Sequence, residues 1–437
     1  MLKHPIARFF SIFSLIYFFF SEKNTFPLKA QTLTRLNIPF EVGGKSLPMA
    51  LVGGLTSPQF NGVDLNGDRR QDLVVFDRNS NVVLTFLNGG RANSPDWTYA
   101  PEFAANFPPL NNWALLRDFN NDGAMDIFTL TSVTTAGNSI RVFKGRFRNG
   151  RLAFDRMTFG INGDILKYPD SRGFFLNIYA NVIDIPAFDD IDNDGDTDIL
   201  SFENGGGKVY FYRNRSVELG FGRDTLIYEL ADECWGRFFD NGFQSKPTLG
   251  TRAACATGLR KKEDGQVQTR GVTAHPGASL TTYDRDGDGD KDVLISGILF
   301  NNMTLLTNGG DKTTAWMNAA EDNFPSNTEG VNISNFPAAY FVDVDNDARV
   351  DLLVSPSSTS FAENRDVSWF YKNTGTAQMP VFTFQKKNFL VEDMIDLGEG
   401  ANPTFVDVDA DGLLDLIVGN TSFYLSGGDR DARLFLF

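Results

Sequence analysis

The chain has 437 residues, 42% of them hydrophobic and 13% aromatic, and a formal net charge of -15. That length can bury a large core and would allow two or three ordinary domains, while the acidic balance excludes nucleic acid as a partner. With His4 set aside in the N-terminal segment, His275, Cys234 and Cys255 leave three such ligands, one short of a four-coordinate structural zinc site.

Residues 1–30 read as a secretory signal: Lys3 and Arg8 precede an apolar stretch from Phe9 to Phe20, interrupted by Ser11 and Ser14, with Ala30 at a plausible cleavage point. An uncleaved anchor is the alternative, but the stretch is shorter than the ~20 residues of a spanning helix. No later segment is apolar enough to span. The expectation is a secreted or cell-surface chain with one domain over 31–437 and no membrane span.

From Asp64 onward one acidic pattern recurs six times: DLNGDRRQD from Asp64, DFNNDGAMD from Asp118, DIDNDGDTD from Asp190, DRDGDGDKD from Asp284, DVDNDARVD from Asp343 and DVDADGLLD from Asp407. Side-chain oxygens recur at positions 1, 3, 5 and 9. These are Asp64, Asn66, Asp68 and Asp72; Asp118, Asn120, Asp122 and Asp126; Asp190, Asp192, Asp194 and Asp198; Asp284, Asp286, Asp288 and Asp292; Asp343, Asp345, Asp347 and Asp351; and Asp407, Asp409, Asp411 and Asp415. Calcium takes six to eight oxygen ligands, and such a loop turns alternate side chains inward to supply them. Position 7 would add a backbone carbonyl, from Arg70, Ala124, Asp196, Asp290, Arg349 and Leu413. Position 6 must reverse the chain sharply. It is glycine in four copies, whereas Arg69 and Ala348 stand there in the first and fifth, which makes those two the weakest candidates. Six calcium ions would offset most of the negative charge. Bare Asp/Asn/Gly turns are the alternative, but packed carboxylates without a cation repel one another.

The loops open like an EF-hand, yet none continues to a helix. Each leads instead into an apolar run: Leu73-Val74-Val75, Ile127-Phe128, Ile199-Leu200, Val293-Leu294-Ile295, Leu352-Leu353-Val354 and Leu416-Ile417-Val418, all short and typical of buried strands. A strand also precedes each loop, as at Ala338–Val342, and a third often ends in a turn, as at Asn88-Gly89-Gly90. Loop starts are 54, 72, 94, 59 and 64 residues apart, a period suited to one four-stranded sheet per unit. The fold class expected is all-β: a β-propeller of four-stranded blades, six to seven in number, with a calcium loop in most. Arg35–Val42 would supply the outer strand of the last blade and so close the ring. Cys234 and Cys255 lie in the longest gap, where a disulfide would clip an insertion over about 231–275; two free thiols are the alternative.

The D-x-[DN]-x-D-G-x-x-D loop between apolar strands resembles the FG-GAP/VCBS repeat family from about Pro39 to the end. That resemblance implies a calcium-loaded β-propeller, commonly seven-bladed. Cys234-Trp235-Gly236, Cys255 and the segment from His275 to Ser279 look similar to secreted propellers of Bacteroidetes-type bacteria.

Catalytic chemistry has little to draw on. A Ser-His pair could use only His275, with Ser279 nearby, since His4 lies in the signal. Gly205-Gly206-Gly207 and Gly427-Gly428 lack the lysine and helix of a phosphate-binding loop. Asn214, Asn302, Asn332 and Asn420 begin N-x-[ST] triplets. The function expected is a non-enzymatic, monomeric binding or adhesion module for an extracellular protein or glycan. The alternative is a calcium-dependent polysaccharide lyase or hydrolase with a channel Lys or Arg as base.

Overall fold

Strands rich in Val, Leu, Ile and Phe alternate with the acidic loops and assemble into five four-stranded antiparallel sheets. The structure is a computed structural model and describes residues 39–133, 137–160, 163–204, 207–250, 255, 259–261, 267–269, 277–358, 363–424 and 429–437. The expected signal and both histidines lie outside the described residues. All the sheets belong to the unit Glu41–Phe437.

Blade 1 comprises Pro58–Val63, Asp72–Asp77, Val82–Asn88 and Trp97–Tyr99; blade 2, Ala114–Arg117, Asp126–Val133, Gly137–Arg148 and Arg151–Arg156. Blade 3 comprises Ala187–Asp189, Asp198–Phe202, Val209–Asn214 and Tyr228–Asp232; blade 4, Ala278–Tyr283, Asp292–Gly297, Thr304–Asn308 and Met317–Glu321; blade 5, Pro337–Val342, Asp351–Pro356, Trp369–Asn373 and Phe382–Lys386. Within each blade the strands pair in sequence order. The second strands of blades 1, 3, 4 and 5 are buried along their whole length, as in Asp72–Asp77 and Asp351–Pro356. They are covered on both faces by the neighbouring blades, and for that reason their sequences run apolar instead of alternating.

The core is a set of inter-blade seams. Val63, Val74 and Phe76 of blade 1 meet Ala114, Leu116 and Ile127 of blade 2. Phe128 of blade 2 stacks on Phe188 of blade 3 with ring centroids 4.4 Å apart. Leu200 and Phe202 meet Leu280 and Ile295 across the seam to blade 4, and Leu294 and Leu305 meet Leu352 and Val354 across the seam to blade 5. Blade 5 then returns to blade 1. Tyr340 packs edge-on against Phe60 at 5.8 Å, the Ser57 hydroxyl donates to the Ser358 carbonyl at 2.6 Å, and Ser355 donates to the Pro58 carbonyl. The innermost strands therefore succeed one another round a closed cycle. The fold is a β-propeller, and among the described residues five four-stranded blades make up this cycle; six or seven were expected.

The sixth repeat stands apart. Asn402–Val406, Asp415–Gly419 and Leu434–Leu436 form a three-stranded sheet that contributes to none of the inter-blade clusters. Val408 is 51% exposed, whereas its counterpart in blade 5, Val344, is fully buried. The closing role expected of Arg35–Val42 is also corrected: Glu41–Val42 pairs with Lys45–Ser46 in a separate hairpin, and the rest of that segment lies outside the described residues. Among the described residues no helix is long and apolar enough to cross a membrane.

Arg78, at the end of the second strand of blade 1, ties the ring together. Its buried guanidinium donates to the carbonyls of Asn112, Val182 and Ser357, on the approaches to blades 2 and 3 and at the end of blade 5.

Candidate metal centres

Each acidic loop joins the innermost strand of its sheet to the second, so the five ring loops collect at one end of the ring. All six fold alike, by carboxylate-to-amide hydrogen bonds that the position pattern dictates. The position 1 carboxylate accepts the N–H of position 6, as Asp64 does from Arg69 at 2.8 Å and Asp343 from Ala348 at 3.0 Å. The position 5 carboxylate accepts the N–H of position 7, as Asp68 does from Arg70 at 2.9 Å. These bonds require a left-handed residue at position 6. Arg69 (φ 67°) and Ala348 (φ 65°) adopt that conformation as the glycines do, so both variant loops keep the common geometry at some backbone cost.

Position 9 is the clamp of every blade. Asp72 accepts the Leu65 N–H at 2.9 Å on one oxygen and the Asn88 N–H, on the third strand, at 2.8 Å on the other. Asp126, Asp198, Asp292 and Asp351 do the same in blades 2 to 5. Burial pushes these carboxyls up, with the loop's other carboxylates adding to the effect: Asp72 and Asp292 to about 6, Asp126 and Asp351 to about 7, and Asp198 to about 9.

The expected ligand sets come together in part. Carboxylate oxygens lie within 4.8 Å of one another in the groups Asp190, Asp192, Asp194; Asp284, Asp286, Asp292; Asp343, Asp345, Asp347; and Asp407, Asp409, Asp415. No such trio of acids forms in the first two loops, where position 3 is an amide, Asn66 or Asn120. The buried oxygens of Asn120, Asp192, Asp196, Asp290 and Asp345 include atoms with no hydrogen-bond partner. Among the described residues, every buried carboxylate or amide oxygen in that state belongs to one of these loops. Leaving such oxygens unsatisfied is costly, and a hard cation with oxygen ligands is the chemistry that would satisfy them. The residues fit calcium.

Two features were not anticipated from the sequence. The first is that position 7 in blades 3 and 4 brings a buried side chain, Asp196 or Asp290, and not a carbonyl alone. The second is a cation reaching some loops from the third strand. Lys372 binds Asp345, and also Asp347 at 3.2 Å, beside Arg349, whose guanidinium holds Asp347 down at about 2. Arg213 binds Asp192 at 3.0 Å, and Lys144 lies 3.9 Å from Asp122. At the same strand position blades 1 and 4 carry Leu87 and Thr307. The loops thus differ in charge although they share one pattern.

Loops are also tied to the neighbouring blade, in two cases loop to loop and in blade 5 to the end of the third strand of blade 1. The Asn121 amide donates to the Gly195 carbonyl at 3.1 Å, Asn193 donates to the Gly289 carbonyl, and Asn346 exchanges amide hydrogen bonds with Asn88 at 2.7 and 3.1 Å. Asn or Gly at position 4 of the five ring loops was the available signal, since position 4 is left-handed in all six, Ala410 included.

Elsewhere, the innermost strands enclose a cavity of about 210 Å³ lined by Leu115, Arg117, Phe188, Asp189, Leu280 and Tyr340, among others. Arg117 donates to the Phe188 and Leu116 carbonyls, and Asp189 pairs with Lys291 at 3.0 Å. Ser279 is buried, its hydroxyl 2.8 Å from that of Ser296. Asn214 is 1% exposed and so closed to glycosylation. Cys234 and Cys255 form a disulfide with Cα atoms 5.8 Å apart. A second cavity, of about 430 Å³, is lined by Tyr168, Tyr179, Tyr210 and Tyr212 with Asn177 and Glu203.

Fold and loops define a β-propeller whose blades carry one repeated acidic turn. A family model described as FG-GAP-like repeat matches residues 64–129, from the first loop into the second strand of blade 2, so the chain carries an FG-GAP-like repeat there. Among curated proteins none matches. Two solved structures with some likeness are an Agrocybe aegerita lectin described as recognising non-reducing terminal N-acetylglucosamine, and the Photorhabdus luminescens Tc holotoxin pore. The lectin is 14% identical with a TM-score of 0.32, covering 87% of this chain and 80% of its own. The holotoxin is 13% identical with a TM-score of 0.32, covering 91% of this chain and 14% of its own.

Proposed function

We propose that the chain is a secreted, calcium-braced β-propeller acting as a non-enzymatic binding module for an extracellular glycan or protein. The observation that carries the metal is the set of buried, unpartnered loop oxygens, above all those of Asp192, Asp290 and Asp345. Positions 1, 3, 5 and 9 would hold each ion, with position 7 contributing its backbone carbonyl. Calcium supplies charge neutralisation that stiffens the turn between two strands. Weak sites of ~10⁻⁴ to 10⁻³ M affinity fill outside the cell and stay empty within it, which fits export.

The tyrosine-lined cavity supports a glycan among the partners. Tyr168 and Tyr210 are partly exposed, and Glu203 accepts the Tyr210 hydroxyl at 3.2 Å. Such a concave site, aromatic with a few placed polar groups, has the general make-up of a ligand pocket. The test is calorimetric titration of EDTA-treated chain with calcium, followed by a glycan array probed with native and Tyr210→Ala protein. Several calcium sites and a glycan signal lost in the variant are the expected result. No calcium uptake would remove the bracing role, and array binding indifferent to Tyr210 would remove the cavity as the glycan site.

A further inference from the structure

We infer that blade 3 holds a second divalent cation, beside the one its loop would take, with Asp194, Asp196 and Glu218 as ligands. This rests on the reading of the acidic loops as cation sites. Blade 3 contains two overlapping groups of mutually close carboxylates, Asp190, Asp192, Asp194 and Asp194, Asp196, Glu218, within each of which the oxygens lie less than 4.8 Å apart. Asp194 belongs to both and would bridge the two ions.

The independent observation is Asp196. Its side chain is 2% exposed and neither carboxylate oxygen has a hydrogen-bond partner, so its charge is turned into the protein with nothing to meet it. At position 7 the other loops carry Arg70, Ala124, Arg349 and Leu413, none of which supplies a carboxylate. Blade 4 does carry Asp290 there, but among the described residues no further acid closes a second group around it.

Glu218 comes from the segment after the third strand of blade 3, and its placement is built. The Asn214 side-chain oxygen accepts the Ser216 N–H at 3.1 Å, the Arg215 carbonyl accepts the Leu219 N–H at 3.0 Å, and the Ser216 carbonyl accepts the Phe221 N–H at 2.9 Å. That turn sets Glu218 over the loop, where Arg215 steadies it at 3.3 Å while also binding Glu229 at 2.8 Å. Arg213 is committed to Asp192. Neither guanidinium partners Asp196, and an all-oxygen acidic site of this kind suits a hard ion such as calcium.

The test is calcium titration of the EDTA-treated full chain in four forms: native, Glu218→Gln, Asp194→Asn and Asp190→Asn. Glu218 is exposed, so its amide variant should melt like the native chain in EDTA, which establishes an intact fold. The expected result is one calcium equivalent fewer in Glu218→Gln and two fewer in Asp194→Asn. A Glu218→Gln chain with the native number of equivalents, alongside a loss of one in Asp190→Asn, would overturn the second ion and leave the loop sites standing. A native chain that takes up no calcium would overturn both.

Discussion

Without a bound cation, the stability of this protein should fall as pH rises. Asp72, Asp126, Asp292 and Asp351 are at most 1% exposed, with carboxyls pushed from 3.8 up to about 6, 7, 6 and 7. A carboxyl whose folded pKa exceeds its unfolded one holds its proton more tightly when folded. Stability is therefore greatest below pH ~4 and is lost as pH climbs through 6 to 7. At 1.36 kcal/mol per pKa unit, charging costs about 3 kcal/mol at each of Asp72 and Asp292 and about 4 kcal/mol at each of Asp126 and Asp351. The total of ~14 kcal/mol rivals the ~5–15 kcal/mol net stability of a whole domain. Calcium, if it fills the loops as proposed, should reverse the trend, because it would bind the charged form and add about 2.7 kcal/mol per site at a hundredfold excess over Kd. Melting curves in EDTA at pH 5, 6, 7 and 8, repeated with calcium, are the assay. A metal-free chain that melts at the same temperature or higher at pH 8 than at pH 5 would refute the reasoning.

Lys372→Met should lower the metal-free stability by about 1–3 kcal/mol, since the ammonium makes charged contacts to the buried Asp345 and Asp347. The same change should enlarge the calcium-induced rise in Tm, as blade 5 then depends on an ion; a smaller rise would mean that the lysine helps metal to bind. Ala348→Gly should stabilise the chain by about 1 kcal/mol in urea unfolding, because Ala348 holds a left-handed φ of 65°. An unchanged midpoint would show that the loop carries no such backbone cost.

Part of the site was legible because its chemistry is local. The loops close by hydrogen bonds between residues two to seven apart, such as Asp68 with Arg70 and Asp72 with Leu65, and those spacings are written in the chain. The third-strand asparagines were equally open to view: Asn88, Asn214 and Asn308 each stand 16 residues after the position 9 aspartate that binds their N–H. The turn at Asn88 was read, but the tie of these asparagines to the loop was not. Lys144, Arg213, Lys372 and Glu218 were out of reach of a loop pattern, since each approaches from another strand or turn.

The sequence by itself determined a chain of repeated strand-loop-strand units, the propeller class and the acidic character of every loop, because these depend on side-chain period and on turn geometry within a few residues. Only the tertiary structure decided how many units share the ring. Closure rests on contacts such as Asn88 with Asn346, 258 residues apart, and on whether one blade's face matches the next. Blade 5 meets blade 1 through Tyr340 and Phe60, which leaves the sixth repeat, with the same loop as the others, outside the ring and its Val408 in solvent.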